Sequence, residues 1–399
     1  MRFAPQIWKP ALSPSLVRWL RPFRERQQRR IVNIESIDVH GAEHVREALD
    51  AGDGLLIMPN HSSHADPYVI YAAADRVATP LHIMATWHVF HDRTFIGQWM
   101  LRKHGCFSVD REANDIGAFR LATELLQEKR EPLVIFPEGE IYHCNQRVTP
   151  FRDGAAAIAV AAARKAKRTI RCVPCAIFYR YEEDPTDALK ETMGELEEAI
   201  LWRRRPEVPL DKRIYDFAEV LLAVKELEYF GEARTGQLPQ RIEALRDHIL
   251  SQVEDRHGLT DKSKGVPERV KAARRTIIEK RSGEGVSEED KRTLDDDLED
   301  LFLVVQSFSY TGDYVMDHPS IERMAETIDK FEEDVLRKPT ASIRAKRKVE
   351  VRFAEPITVS GDRKARNQVA TLSSQVEAQV QQMLNLSEPS RRYENSGQS

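Results

Sequence analysis

Apolar positions recur along this chain in two rhythms. Between residues 54 and 178, short unbroken apolar runs alternate with stretches of helical spacing. Gly54-Leu55-Leu56-Ile57-Met58, Leu81-His82-Ile83-Met84-Ala85, Leu133-Val134-Ile135-Phe136 and Ile170 to Phe178 read as buried strands, too short for helices and continuously apolar. Ala118 to Glu128 and Ala155 to Ala166 read as helices between them. This alternation predicts an α/β fold, a central sheet flanked by helices.

The rhythm changes after Tyr181. Residues 182–347 are dense in Glu, Lys, Arg and Leu at helical periodicity, with no convincing strand. Ile214, Phe217, Leu221 and Val224 mark one apolar face, and Leu294, Leu298, Leu301, Phe302 and Val305 another. Gly231, Gly258, Gly265, Gly283 and Gly312, with Pro206, Pro209, Pro267 and Pro319, divide the stretch into about six helices. Lys348-Val349-Glu350-Val351-Arg352-Phe353 then alternates polar and apolar, a strand again. A helix over 363–386 follows, and the polar tail 387–399 is expected to be disordered. The expected organisation is an α/β core over 35–181, a large all-helical insertion over 182–347, and a closing strand and helix over 348–386 that complete the core.

A chain of 399 residues can bury a large core and form two to three domains. At 41% hydrophobic residues it is globular, and a net charge of only -4 carries no footprint of a nucleic-acid binder. The charge is uneven, however. In residues 1–34, Arg2, Lys9, Arg18, Arg21, Arg24, Arg26, Arg29 and Arg30 face a single acid, Glu25, and are interleaved with Phe3, Ile7, Trp8, Leu12, Leu16, Val17, Trp19, Leu20 and Phe23. That mixture suits a bilayer interface, with rings at headgroup depth and guanidiniums on anionic lipid. Residues 1–34 are therefore expected to hold the protein peripherally on an anionic membrane surface, at its cytoplasmic face. The plainer alternative is a helix docked on its own domain with solvated arginines. No run of about 18 apolar residues occurs, so no membrane-spanning helix is expected, and no cleavable leader is expected because the N-terminus lacks an apolar stretch followed by a small-residue cleavage site.

Cys106, Cys144, Cys172 and Cys175 are too few for a disulfide framework in a chain of this length. Cys172-Val173-Pro174-Cys175 has the spacing of a redox or zinc pair, yet it falls in a strand-like run, where residues three apart point to opposite faces. No metal site is expected there.

Candidate chemistry concentrates at strand ends. Asn60-His61-Ser62-Ser63-His64-Ala65-Asp66-Pro67 directly follows the 54–58 strand. Asp66-Pro67 reads as a helix N-cap with proline at the first helical position. His61 is then on the turn between a strand end and a helix start, where open α/β sheets place their sites. An imidazole accepts a proton near neutral pH, and the carboxylate of Asp66 can hold its second nitrogen. Capping and turning the chain is the plain alternative for Asn60, His61 and Asp66. Gly105-Cys106-Phe107-Ser108-Val109-Asp110-Arg111 offers one arginine, whose fork matches phosphate. Phe136-Pro137-Glu138-Gly139-Glu140 ends the 133–136 strand in a turn that leaves Glu138 at its mouth, to bond an acceptor hydroxyl or anchor Arg111. A surface ion pair and an ordinary turn would explain these two segments separately. Their order and common place at strand ends point to one site.

Together these blocks resemble the glycerol-3-phosphate and 1-acylglycerol-3-phosphate acyltransferases. Asn60 to Asp66 matches that family's His-x4-Asp block, Gly105 to Arg111 its second block, and Phe136-Pro137-Glu138-Gly139 its third. Val173-Pro174-Cys175 resembles the fourth, Phe151-Arg152-Asp153-Gly154-Ala155 a basic-Gly segment, and Val351 to Ile357 the closing strand. The resemblance covers residues 35–181 and resumes near 348–360. It implies a glycerolipid acyltransferase-like fold with a mixed sheet, and an O-acyltransferase of phospholipid biosynthesis. The acyl group would pass from acyl-CoA or an acyl-carrier protein to the hydroxyl of a lysophospholipid or related glycerolipid. His61 is implied as the general base and Asp66 as its orienter. Arg111 would bind the acceptor phosphate, and Glu138 and Gly139 would position the acceptor, with Asn60, Gly105 and Arg152 completing the substrate-binding set. No cofactor beyond the thioester co-substrate is implied, and no acyl-enzyme, because the hydroxyl attacks directly.

The sequence departs from the family pattern after the third block. Thr or Ser and then Arg commonly follow there, whereas this chain has Glu140, Ile141, Tyr142 and His143. Losing a hydroxyl and a base while gaining an acid weakens the case for a phosphate-bearing acceptor, unless Arg147 or Arg152 substitutes, and the acceptor stays open. His64 reads as a helper, and His88, His91, His104 and His143 as structural. The insertion is expected to act as a lid, a partner-docking surface or plain helical decoration. Two other functions fit the same residues: a catalytically inactive lipid- or carrier-binding module of this fold, and a thioesterase in which His61 activates water.

Overall fold

The computed structural model describes residues 6–111, 115–263, 265–281, 283, 285–308, 310, 312–364 and 367–387; Arg2, Phe3 and the tail beyond 387 lie outside them. The described residues divide into two compact units, one within Met1–Asp184 and Ala345–Pro389 and the other Pro185–Arg344.

The first unit is built on one sheet. Its strands are β1 (Ile34–His40), β2 (Gly54–Pro59), β3 (His82–Thr86), β4 (Cys106–Val109), β5 (Leu133–Val134), β6 (Ile170–Tyr181), β7 (Arg347–Phe353) and β8 (Ile357–Thr358). Their order is β1-β7-β6-β2-β5-β3-β4, with β8 pairing β6. From β6 to β4 all neighbours are parallel. β7 runs antiparallel to β6 and parallel to β1, so the sheet is mixed.

The helices of this unit are α1 (Pro14–Trp19), α2 (Arg21–Ile31), α3 (Ala42–Asp50), α4 (Asp66–Val77), α5 (Trp87–His91), α6 (Phe95–Lys103), α7 (Ile116–Glu128) and α8 (Gly154–Ala163). The period of two along β2 sets the layers. Leu55 and Ile57 face a core closed by Val45 and Leu49 of α3 and Val69, Ile70 and Ala73 of α4. Leu56 and Met58 face the other core, which holds Leu125 and Leu126 of α7, Ile158 of α8, and Val376 and Val380 near the C-terminus. All six residues of β2 are buried, which is why the strand reads as an unbroken apolar run. Cys172 and Cys175 diverge into the two cores as free thiols, and burial pushes the Cys172 thiol up to about 12.

The basic opening segment is docked on this unit along part of its length. Residues 6–8 run beside the edge strand β4, where Trp8 N–H donates to Ser108 Oγ at 2.8 Å and Ser108 N–H to Trp8 O at 3.0 Å. A covered edge cannot pair with another chain. Trp8 stacks on Phe90 with ring centroids 5.2 Å apart. Arg24, expected to face lipid, is instead committed to Asp75 of α4 at 2.8 Å, because one face of α2 packs on α4.

β6 and β7 are adjacent strands whose last and first residues, Tyr181 and Arg347, are partners, and Glu182 N–H donates to Lys346 O at 2.9 Å. Everything between them occupies the position of a hairpin loop. That stretch holds the second unit: α9 (Thr186–Leu201), α10 (Leu210–Phe230), α11 (Leu238–His257), α12 (Val266–Arg281), α13 (Glu288–Gln306), α14 (Tyr314–Asp317) and α15 (Ile321–Asp334), with no strand among the described residues. The chain then completes the first unit with β7, β8 and α16 (Gln368–Leu386).

Two of the apolar faces read from the sequence are displaced. Val224 and Phe302 are half-exposed, while Leu222 and Val304 are buried. The inner side of α10 also carries Arg213 and Glu226, which composition assigns to solvent. Each is buried with a bidentate partner, Arg213 on Glu197 and Glu226 on Arg241.

Candidate active site

The site begins where β2 stops. Pro59 pairs with Cys175, but β6 continues to Tyr181, leaving the next backbone groups on its β2 side without a strand to pair with. Two asparagine side chains take that place. Asn60 Nδ2 donates to Ile177 O at 3.0 Å while its Oδ1 accepts from Ile177 N–H at 2.7 Å, and Asn145 repeats the pattern on Tyr179 at 2.8 Å both ways. Asn60, expected among the substrate-binding residues, is fully buried with its carboxamide used at both ends. It pins the turn carrying His61 to β6 rather than touching a substrate.

Asp66 corrects a second expectation. It is the first residue of α4 and not its N-cap, and its carboxylate turns back over the preceding loop. Oδ2 accepts from Ser62 N–H at 3.0 Å and Ser63 N–H at 3.1 Å, and lies 2.8 Å from His61 Nδ1. Oδ1 accepts from the Tyr179 hydroxyl at 2.5 Å. Four donors thus converge on a fully buried carboxylate. With Oδ2 as acceptor, Nδ1 of His61 carries the proton and Nε2 is left as the basic nitrogen. The ring stacks on Phe136 at 4.2 Å between centroids, which fixes its plane.

Glu138 follows β5, the neighbour of β2, and is also buried. Its carboxyl accepts from His61 N–H at 2.7 Å, from Thr149 N–H at 3.2 Å and from the Thr149 hydroxyl. Burial pushes its pKa up to about 8 against the pull of those three donors. The expectation that Glu138 anchors Arg111 does not hold, because its carboxyl points inward to the His61 loop.

Arg111 is held by the next acid along. Its Nη1 lies 3.0 Å from Glu140 Oε2 and also donates to the carbonyl of Gly139. Gly139 has φ +80, and a Cβ there would stand 2.8 Å from the Arg152 guanidinium, so the arginine lies flat against it. Arg152 N–H closes onto Pro137 O at 2.9 Å, and burial raises the pKa of the nearby Tyr142 against the pull of the Arg152 charge. The structure thus joins His61, Asp66 and Glu138 in one network and Arg111, Gly139 and Arg152 around the adjoining turn.

Gly105 does not belong with them. It precedes β4, whose first residue Cys106 is level with Ile83, Val134 and Ile57 across parallel strands, whereas His61 lies beyond the far end of β2. The two are separated by five residue steps along the strand direction, roughly 16 Å. Gly105 serves packing: with φ +88, any Cβ would strike the Leu81 carbonyl.

His104 Nδ1 donates to Met100 O at 2.9 Å within its own helix end, and burial lowers its pKa, a structural role. His88 stacks on Trp87. The residue that sequence reading missed is Tyr179. Its position on a strand gave no polar signal, and only the pairing of β2 with β6 brings it to Asp66. Burial, then the nearby Asp66 charge, hold its phenol well above the usual value, so it remains a donor.

Residues 36–178 match the family model described as Acyltransferase, a span that contains the His61, Arg111 and Glu138 segments. No curated protein matches the chain.

Proposed function

Over residues 36–178 the chain belongs to the acyltransferase family, and from that premise we propose that it moves a fatty acyl group from the thioester of acyl-CoA or an acyl-carrier protein to the hydroxyl of a lysophospholipid or related glycerolipid. The observation that carries this reading is the 2.8 Å contact between His61 Nδ1 and the buried carboxylate of Asp66 at the C-terminal end of β2. His61 Nε2 takes the acceptor's hydroxyl proton as the oxygen attacks the thioester carbonyl carbon. The tetrahedral intermediate collapses, the C–S bond breaks, and the departing thiolate takes that proton from the imidazolium. Ester and thiol are the products, and no covalent enzyme species intervenes. Asp66 holds the tautomer and stabilises the imidazolium, and Phe136 fixes the ring plane.

The test is ester formation from acyl-CoA and a panel of hydroxyl acceptors, with His61→Ala as the control. Loss of turnover of about a thousandfold is expected for this substitution. Undiminished turnover removes the base assignment, and thioester loss that ignores acceptor indicates a thioesterase. A wild-type chain that binds lipid without consuming thioester is the inactive module.

The same reading places the work at a membrane surface. No described helix is long and apolar enough to cross a bilayer. What supports peripheral contact is a set of outward apolar residues beside basic ones. Trp19 and Phe23 project from α1 and α2 among Arg18, Arg26, Arg29 and Arg30, while Phe95, Ile96 and Trp99 project from α6, which has no buried residue. Backbone bonds from Ala11 to Arg102 O and from Ser13 to Lys103 O tie the opening segment to α6. Binding to anionic vesicles is expected to weaken with salt and on deletion of residues 1–30. Equal, salt-independent retention of the truncated chain rules this contact out.

A further inference from the structure

We propose that Glu140 sets the acceptor class of this enzyme: a hydroxyl lipid with a net-neutral head, and not one bearing a phosphate monoester. The proposal rests on the acyltransferase reading above and deepens it at one residue.

Arg111, at the end of β4, is the guanidinium that the resemblance assigns to the acceptor phosphate. In this chain one nitrogen of its fork is engaged from within. Nη1 is 3.0 Å from Glu140 Oε2 and also donates to Gly139 O. The two side chains are 32% and 37% exposed, so the pair stands at the open surface of the turn and meets whatever approaches it. Arg152, the other cation at this turn, is packed on Gly139.

A phosphate monoester carries between about -1.5 and -2 charges near neutral pH. To reach Arg111 it must expel a carboxylate tethered next to the guanidinium, or sit beside it with charge of the same sign. A neutral glycerol diol or a zwitterionic phosphodiester head meets no such repulsion. Its hydroxyl or ammonium protons find an acceptor in Glu140, which a dianionic phosphate does not need. The residue type that commonly follows the Phe-Pro-Glu-Gly block, a Thr or Ser hydroxyl, would leave Arg111 available. Replacing it with an acid one residue beyond Gly139 turns the same scaffold from admitting that charge to opposing it.

The experiment measures kcat/KM for ester formation with acyl-CoA on four acceptors: glycerol 3-phosphate, lysophosphatidate, monoacylglycerol and lysophosphatidylethanolamine. Wild type, Glu140→Thr and Glu140→Gln are compared. Wild type is expected to favour the two net-neutral acceptors over the two phosphate monoesters by about tenfold or more. Both variants are expected to shift that ratio toward the monoesters by about tenfold, mainly through KM, with the shift shrinking as salt is raised. A substitution that only loosened the turn would lower all four values together. Wild type using the monoesters as well as or better than the neutral acceptors overturns the proposal, as does an unchanged ratio in both variants. If no acceptor is esterified, the acyltransferase reading itself fails, an outcome distinct from either.

Discussion

Asp66→Asn isolates the charge behind His61 from the scaffolding around it. Asp66 receives four donors, three on Oδ2 and the Tyr179 hydroxyl on Oδ1. An asparagine has one acceptor oxygen, and the geometry chooses where it goes. Placed at Oδ2 it keeps Ser62 N–H, Ser63 N–H and the His61 ring, while the amide NH2 meets the Tyr179 hydroxyl, whose oxygen can turn to accept from it. The loop and the tautomer survive, and only the negative charge is lost. An imidazolium and a carboxylate about 4 Å apart at an effective dielectric of 20 interact by ~4 kcal/mol. Removing that from the transition state lowers kcat by about a thousandfold, with KM nearly unchanged. The assay is acceptor-dependent thioester consumption beside a thermal melt. Asp66→Ala is the contrast, since it strands two loop N–H groups and a buried phenol at ~1–3 kcal/mol each and lowers the melting temperature as well. If Asp66→Asn stays within about tenfold of wild-type kcat at an unchanged melting temperature, the charge is not stabilising an imidazolium and the base assignment is wrong.

Tyr179→Phe removes one donor to Asp66 and is expected to lower kcat by about tenfold, on the scale of a hydrogen bond to a charged group, with KM held. The raised pKa of Glu138, about 8 against an ordinary 4.5, means the folded protein keeps a proton that the unfolded chain releases. Its contribution to stability therefore falls as pH rises from about 4.5 to 8 and is level above. Melts of wild type and Glu138→Gln across that window should converge in slope for the variant, and parallel curves would refute the assignment. In the helical unit, Arg241→Ala leaves the buried Glu226 without its fork and should cost ~3–5 kcal/mol in chemical denaturation, whereas replacing both with apolar residues of similar size should cost far less. Exchanging residues 183–345 for a short hairpin turn should leave a folded sheet unit detectable by circular dichroism, since that stretch joins adjacent antiparallel strands.

What the sequence discloses about this protein is local. The β2 strand, the turn after it and the His61–Asp66 spacing are legible because periodicity and turn chemistry act over a few residues. Asp66 as an N-cap was the natural expectation for an Asp-Pro pair, and it failed because the loop amides and imidazole compete for the same oxygens more effectively than the helix end. Tyr179 could not be read, because it is 113 positions from Asp66 and its role exists only once β2 and β6 are side by side. The substitution at Glu140 was visible as a departure, but its partner was not. Gly105 was grouped with the site on motif order, although parallel strands put the start of β4 and the end of β2 at opposite edges. In the helical unit, Arg213 and Glu226 look solvated until the ion pairs that bury them are known.

The placement of β7 has a consequence for synthesis. β1 and β6 share β7 as their common neighbour, yet β7 is translated after the whole helical unit. At ribosomal rates of about 5–20 residues per second, the gap between finishing β6 and supplying β7 lasts on the order of ten to thirty seconds. During that interval β1 and one side of β6 present unpaired backbone and alternating apolar side chains to other nascent chains. The helical unit, rich in contacts close in sequence, has time to fold first. β7 then closes a gap that has been waiting between β1 and β6, so the nascent protein is most exposed to aggregation late in its production and least so at the start.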